Sequence, residues 1–325
     1  MRRYLYLFIK AMRNSKDTSA RGLIAACCIF GCLLLGSSSL VSCKGGKKDA
    51  TSEKPTVSVT IEPFRYIVEQ IAGDKVAVNV MVPAGSNPET YEPTTQQMVQ
   101  LSKSDIYFKV GRIGFEETWM EKLTENAPDM KVVDTSKGIV PAKTAGGIID
   151  PHTWMSCQSA RIIGENIRQT LCNWMPQDSA EFNKRYEIFY DKIAQVEQEM
   201  TPYFQKAKDA RGKITGQKSD RFPFVIYHPT LTYFAKDYGF EQLPIEEEGR
   251  EPSISQLQIL IDRAKNEQIK TVFIQKEFAN RNTQIFLEAT HAQAIEINPL
   301  TYDWAKEMVS IAKKFAESYG VKASH

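Results

Sequence analysis

The chain has 325 residues, with 41 Lys and Arg against 39 Asp and Glu and only four histidines. A formal net charge of +2 is close to neutral, so nothing in the charge indicates a nucleic-acid partner. At 42% hydrophobic residues the chain is neither fibrous nor disordered, and it is long enough for two domains with cores of their own.

Arg2, Arg3, Lys10, Arg13, Lys16 and Arg21, with Asp17 as the one acid among them, precede an apolar run from Leu23 to Leu35. A basic lead and an apolar stretch shorter than the ~20 residues of a membrane span read as a signal peptide over residues 1–42, not as a spanning anchor. The run ends in Leu40-Val41-Ser42-Cys43, which resembles the lipobox of bacterial lipoproteins and implies cleavage before Cys43 and its acylation. The protein is therefore expected to be exported and held by lipid on a bacterial membrane, on the periplasmic or cell-surface side, with residues 43–55 as a tether. The signal removes six basic side chains and one acidic one, which leaves a net charge of −3. Cys157 and Cys172 remain. On one helix they would stand ~22 Å apart, too far for a disulfide.

After the tether, Thr56–Ile61 reads as a strand, Pro63–Ala72 as a helix ended by Gly73, and Val76–Val82 as an apolar strand. The loop from Pro83 to Pro93 leads to a helix at Thr94–Lys103, a strand at Asp105–Val110, a helix at Phe115–Asn126 and a strand at Lys131–Asp134. A polar loop reaches Asp150-Pro151-His152-Thr153-Trp154, and Ser156–Met175 is a helix. From Asp178 to about Asp209, Phe182, Tyr186, Phe189, Ile193, Val196, Met200, Tyr203 and Ala207 recur at gaps of four and three, one stripe of a long amphipathic helix. Pro202 is expected to kink or end it, with Arg211–Arg221 as a basic loop. Strands at Phe224–Tyr227, Glu241–Ile245, Thr271–Ile274 and Ala294–Ile297 then alternate with helices at Pro229–Tyr238, Ser253–Glu267, Asn280–Thr290 and Trp304–Tyr319. Such alternation on both sides of the long helix predicts an α/β protein with two lobes, each a parallel sheet covered by helices. The expected divisions are 56–177 for the first lobe, 178–210 for the linking helix and 211–325 for the second lobe. A coiled-coil arm is the competing reading of the long helix, but its stripe stops after about four heptads.

Ligands of open parallel sheets bind beyond the carboxyl ends of the strands. Residues in those positions include Glu62, Glu89 and His152 in the first lobe. In the second they are His228, the Glu246–Glu251 loop, Gln275, Glu277 and Asn298. Two of the four histidines thus fall where one imidazole from each lobe would meet a divalent metal, while His291 and His325 read as surface residues.

Several segments have the same order as a known family: Ile71-Ala-Gly-Asp, Val82-Pro-Ala-Gly-Ser-Asn-Pro-Glu-Thr-Tyr-Glu-Pro-Thr, Asp150-Pro-His-Thr-Trp, Tyr227-His-Pro, Tyr233-Phe-Ala-Lys-Asp-Tyr-Gly, Glu251-Pro-Ser and Asn298-Pro-Leu. Together they resemble the zinc and manganese solute-binding lipoproteins of ABC importers, the cluster A-I or adhesin-type family. The resemblance implies two four-stranded lobes joined by one long helix, and metal ligands at Glu89, His152, His228 and Asn298. The family usually has histidine where this chain has Glu89, and aspartate where it has Asn298. If Asn298 only orients the site, Glu251, Asp303 or water would complete the shell. Two imidazoles favour Zn2+, while the carboxylate and amide oxygens move the site toward Mn2+ or Fe2+.

The resemblance implies a monomeric receptor that captures the ion and delivers it to an ABC permease without chemistry, with no nucleic acid involved. The alternatives are a zinc-dependent hydrolase using Glu89 or a residue of Glu246–Glu251 as base, and a receptor for haem, siderophore or cobalamin. A surface adhesin role could be added to metal capture.

Overall fold

The computed structural model describes residues 54–144, 146–215, 222–246, 250–275 and 281–321, all within the compact unit Lys54–His325. The expected signal, lipidation and tether residues up to 53, including Cys43, lie outside the described residues, as does Glu277. The first lobe runs β1 (Thr56–Val59), α1 (Glu62–Ala72), β2 (Ala77–Val80), α2 (Thr95–Leu101), β3 (Ile106–Lys109), α3 (Gly114–Asn126), β4 (Lys131–Asp134) and α4 (Cys157–Trp174). A 3-10 turn at Pro176–Asp178 opens into α5 (Ser179–Thr215). The second lobe runs β5 (Pro223–Ile226), α6 (Thr232–Tyr238), β6 (Glu241–Pro244), α7 (Ile254–Asn266), β7 (Thr271–Gln275), α8 (Arg281–Thr290), β8 (Gln293–Ile297) and α9 (Trp304–Ser318).

Among the described residues the pairings between these strands are all parallel, in the orders β2-β1-β3-β4 and β6-β5-β7-β8. Each order reverses beside its first strand, which opens a crevice at the carboxyl ends of β1 and β3 and of β5 and β7. The central strands β1 and β5 are almost wholly buried, as strands covered on both faces are; β5 is apolar throughout, while the buried Ser58 of β1 is satisfied by the Ser104 hydroxyl at 2.7 Å. Capping boxes at Thr94 with Gln97 and at Ser253 with Gln256 fix where α2 and α7 begin.

The helix α5 has 37 residues, so it is about 55 Å long. It continues through Pro202 to Thr215, contrary to the expected end there and to the basic loop expected from Arg211. A proline removes one backbone hydrogen bond, and the buried residues on either side, Met200, Phe204 and Ala207, hold the helix against its neighbours. The buried stripe passes through Phe204, while Tyr203 is only partly covered. Cys157 and Cys172 are both free thiols on α4. No helix among the described residues is long and apolar enough to cross a membrane.

The lobes are tied across the crevice by specific hydrogen bonds. Trp154 Nε1 donates to the Pro299 carbonyl at 2.8 Å, and Trp304 Nε1 donates to the Trp154 carbonyl at 2.7 Å. The Tyr302 hydroxyl donates to Glu69 at 2.5 Å, with the Arg65 guanidinium 4.4 Å from the Tyr302 ring centre.

Under the first-lobe crevice lies a buried acid, Glu116. It accepts from Val110 N at 2.7 Å, Gly111 N at 2.8 Å and the Thr60 hydroxyl. Burial raises its pKa from 4.5 to about 7, and the donors offset only part of that rise. A carboxyl that holds its proton more tightly when folded gives stability below its unfolded value, lost as pH rises toward the folded one. From pH 4.5 to 7 this group should therefore cost the fold about 3 kcal/mol. Denaturation of the metal-free protein over that range should show the decline, and Glu116→Gln should flatten the slope. An unchanged slope in the variant would contradict the assignment.

Candidate metal site

The loop after β2 carries Glu89, the loop after β4 carries His152, and His228 follows β5 by two residues. All three emerge at carboxyl ends of strands, and one ligand atom from each lies within 4.8 Å of the other two. Both histidines are buried, Glu89 is partly so, and the imidazole ring centres are 5.1 Å apart at 80°. The three line a cavity of about 520 Å³ with Arg112, Asp150 and Pro229.

Each imidazole is oriented from its far side. His152 Nδ1 lies 2.7 Å from Asp150 Oδ1, and the same oxygen accepts the His152 backbone N–H at 2.7 Å. The other Asp150 oxygen accepts the Thr232 hydroxyl, and the Asp150 carbonyl accepts the Tyr233 hydroxyl at 3.1 Å, so α6 of the second lobe steadies a ligand of the first. His228 Nδ1 lies 3.2 Å from the buried Glu246 Oε1. Gln275, at the end of β7, accepts from His228 N at 3.4 Å and donates to its carbonyl at 2.8 Å. A carboxylate on Nδ1 fixes the tautomer that leaves Nε2 as a metal ligand.

Charges couple across the site. Burial works against an ionised His152, but the carboxylates of Asp150, Glu89 and Glu246 outweigh it and raise its pKa. Burial likewise works against an ionised Asp150, but the His152 charge and the donors from His152 and Thr232 lower its pKa. Glu89 accepts the Gly114 N–H through Oε2 at 3.0 Å, while its buried Oε1 has no hydrogen-bond partner among the described residues. Two imidazoles and one carboxylate oxygen around a common point are a donor set for a divalent transition metal.

Asn298 does not line this cavity. It is exposed beyond β8, and its backbone N–H donates to Glu307 at 2.8 Å. Asp303 is exposed and accepts the Lys306 N–H at 3.2 Å as the N-cap of α9. Glu251 is exposed ahead of α7. Neither Asp150 nor Gly114 is among the site residues expected from the sequence, and Glu246 is expected there only as part of the Glu246–Glu251 loop beyond a strand end or as a base, not as the partner of His228. An acid two residues before a buried histidine is a usable signal, because a ligating imidazole needs a partner on its other nitrogen. Gly114 gives no such signal, because its contact with Glu89 spans 25 residues.

Known proteins resemble this chain in structure or in sequence. A crystal structure of ZnuA aligns over 82% of this chain and 99% of its own, at 32% identity and a TM-score of 0.74. The manganese ABC transporter substrate-binding lipoprotein PsaA of Streptococcus pneumoniae is 28% identical over 265 residues, 77% of this chain and 81% of that protein. The metal ABC transporter substrate-binding lipoprotein FimA of Streptococcus parasanguinis is 26% identical over 268 residues, 78% and 81% of the two chains. The family described as zinc-uptake complex component A, periplasmic, matches residues 57–318, and the chain belongs to that family.

Proposed function

We propose that this protein is the extracytoplasmic receptor of an ABC importer, that it binds zinc in preference to manganese or ferrous iron, and that it hands the ion to a membrane permease without chemical change. The observation that carries the reading is the meeting of Glu89, His152 and His228, with one imidazole from each lobe and ligand atoms within 4.8 Å. The names of the relatives support the importer and the permease partner. Lipid on Cys43 would hold the receptor at the membrane as a monomer.

Glu89, His152 and His228 form the protein part of the shell in this reading, water fills the remaining position, and Asn298 lies outside it. Its exposure and its place beyond the cavity lining support that assignment. A hydrolase would need a free carboxylate on the ion's side of the site. Glu246 instead faces His228 Nδ1, on the side away from Nε2, and one oxygen of Glu89 is taken up by Gly114.

Asn298→Asp tests the shell, because the change is nearly isosteric and adds one negative charge. Outside the shell that charge acts through space, so competition titration should show similar gains for zinc and manganese, below about threefold for each. A manganese gain several times the zinc gain would place the new hard oxygen on the ion and contradict the assignment.

A further inference from the structure

We infer that Gly114 is the positioning residue that makes Glu89 a one-oxygen ligand and thereby tilts the site toward zinc, an inference that rests on the reading of Glu89 as a ligand. Gly114 is the first residue of α3, and its N–H donates to Glu89 Oε2 at 3.0 Å. The next N–H, of Phe115, donates to the Pro88 carbonyl at 2.8 Å. The loop after β2 is thus seated on the open N-terminus of α3, whose unpaired donors and partial positive charge favour a carboxylate.

The seat exists only because position 114 has no side chain. A Cβ there would lie 2.6 Å from Glu89 Oε2, 2.8 Å from the Glu89 carbonyl oxygen and 3.0 Å from its Cα. Two of those three atoms are backbone, so a rotamer change in Glu89 cannot relieve the clash and the loop itself must shift. Gly114 does not have a positive φ, so alanine at this position is free of backbone strain.

The consequence is chemical. With Oε2 engaged by Gly114, the buried Oε1, which has no hydrogen-bond partner among the described residues, is the Glu89 oxygen left for an ion shared with His152 and His228. A single oxygen beside two imidazoles suits four-coordinate zinc. A carboxylate free to turn could offer both oxygens, as larger ions with more oxygen ligands prefer. The glycine therefore acts on selectivity through the acid and does not touch the ion.

The test is competition titration of zinc and manganese on the parent, Gly114→Ala, Glu89→Ala, the double variant and Glu89→Gln, with melting of each metal-free protein as the control for folding. Gly114→Ala should weaken zinc binding about tenfold or more and manganese binding less than threefold, which lowers the zinc-to-manganese ratio. In the Glu89→Ala background, the same glycine change should cost zinc binding less than twofold. Zinc affinity at the parent level in Gly114→Ala, with Glu89→Ala weakened, would overturn the inference and leave Glu89 a ligand. An equal loss for both metals, persisting in the double variant, would also overturn it. Parent-level binding by Glu89→Ala would instead remove Glu89 from the site.

Should Gly114→Ala fail to fold, Glu89→Gln carries the test. Its amide has one acceptor oxygen for two claimants, the Gly114 N–H and the ion, so it should bind zinc as weakly as Glu89→Ala. Binding within threefold of the parent would overturn the proposed seat.

Discussion

Alanine at His152 or His228 is expected to raise the zinc dissociation constant at least tenfold, about 1.4 kcal/mol for each. Each imidazole supplies one of three converging ligand atoms, and each is buried and held by its own carboxylate, Asp150 or Glu246. Removal therefore deletes a ligand and leaves an oriented buried acid without its partner. A ligand must lose its proton to bind metal, and the raised pKa of His152 sets the sign of the pH dependence. Zinc binding should weaken as pH falls, beginning above the ordinary imidazole value of 6.5. Calorimetric titration at several pH values checks both effects, and parent-level affinity in both alanine variants would remove the site from the crevice.

Trp154→Ala is expected to destabilise the fold by about 3–5 kcal/mol. The side chain is fully buried, packs edge-on to Phe64 at 6.2 Å and lies 5.2 Å from the His152 ring. Its Nε1 also donates to the Pro299 carbonyl in the second lobe, so the truncation opens a cavity and cuts an interlobe bond. Chemical denaturation of the metal-free protein measures the loss. A cost below about 1.5 kcal/mol would show that the interlobe core repacks around the gap.

Sequence periodicity predicts most of the architecture because the signals are local. Strand β2 reads as an apolar run, α5 as a stripe with gaps of three and four, and the His152 and His228 loops follow strand ends. Helix α5 runs past the end expected at Pro202 because proline's local cost is visible in the sequence while the burial of Phe204 and Ala207 that offsets it is not. Histidine and carboxylate ligands stand out by residue type. Their supports do not, since Thr232 reaches Asp150 across 82 residues and Gly114 reaches Glu89 across 25. Asn298 occupies the position that the family resemblance assigns to a ligand, yet it lies exposed outside the cavity lining.

Elemental analysis measures whether the interlobe site retains zinc. The mature protein, stripped of metal and then exposed to equal zinc, manganese and ferrous iron, should retain about one zinc per chain and little of the other two. The variant lacking both His152 and His228 should retain almost none under the same treatment. Equal zinc in the parent and the double variant, or no retained divalent metal in the parent, would contradict a metal receptor built on the interlobe site.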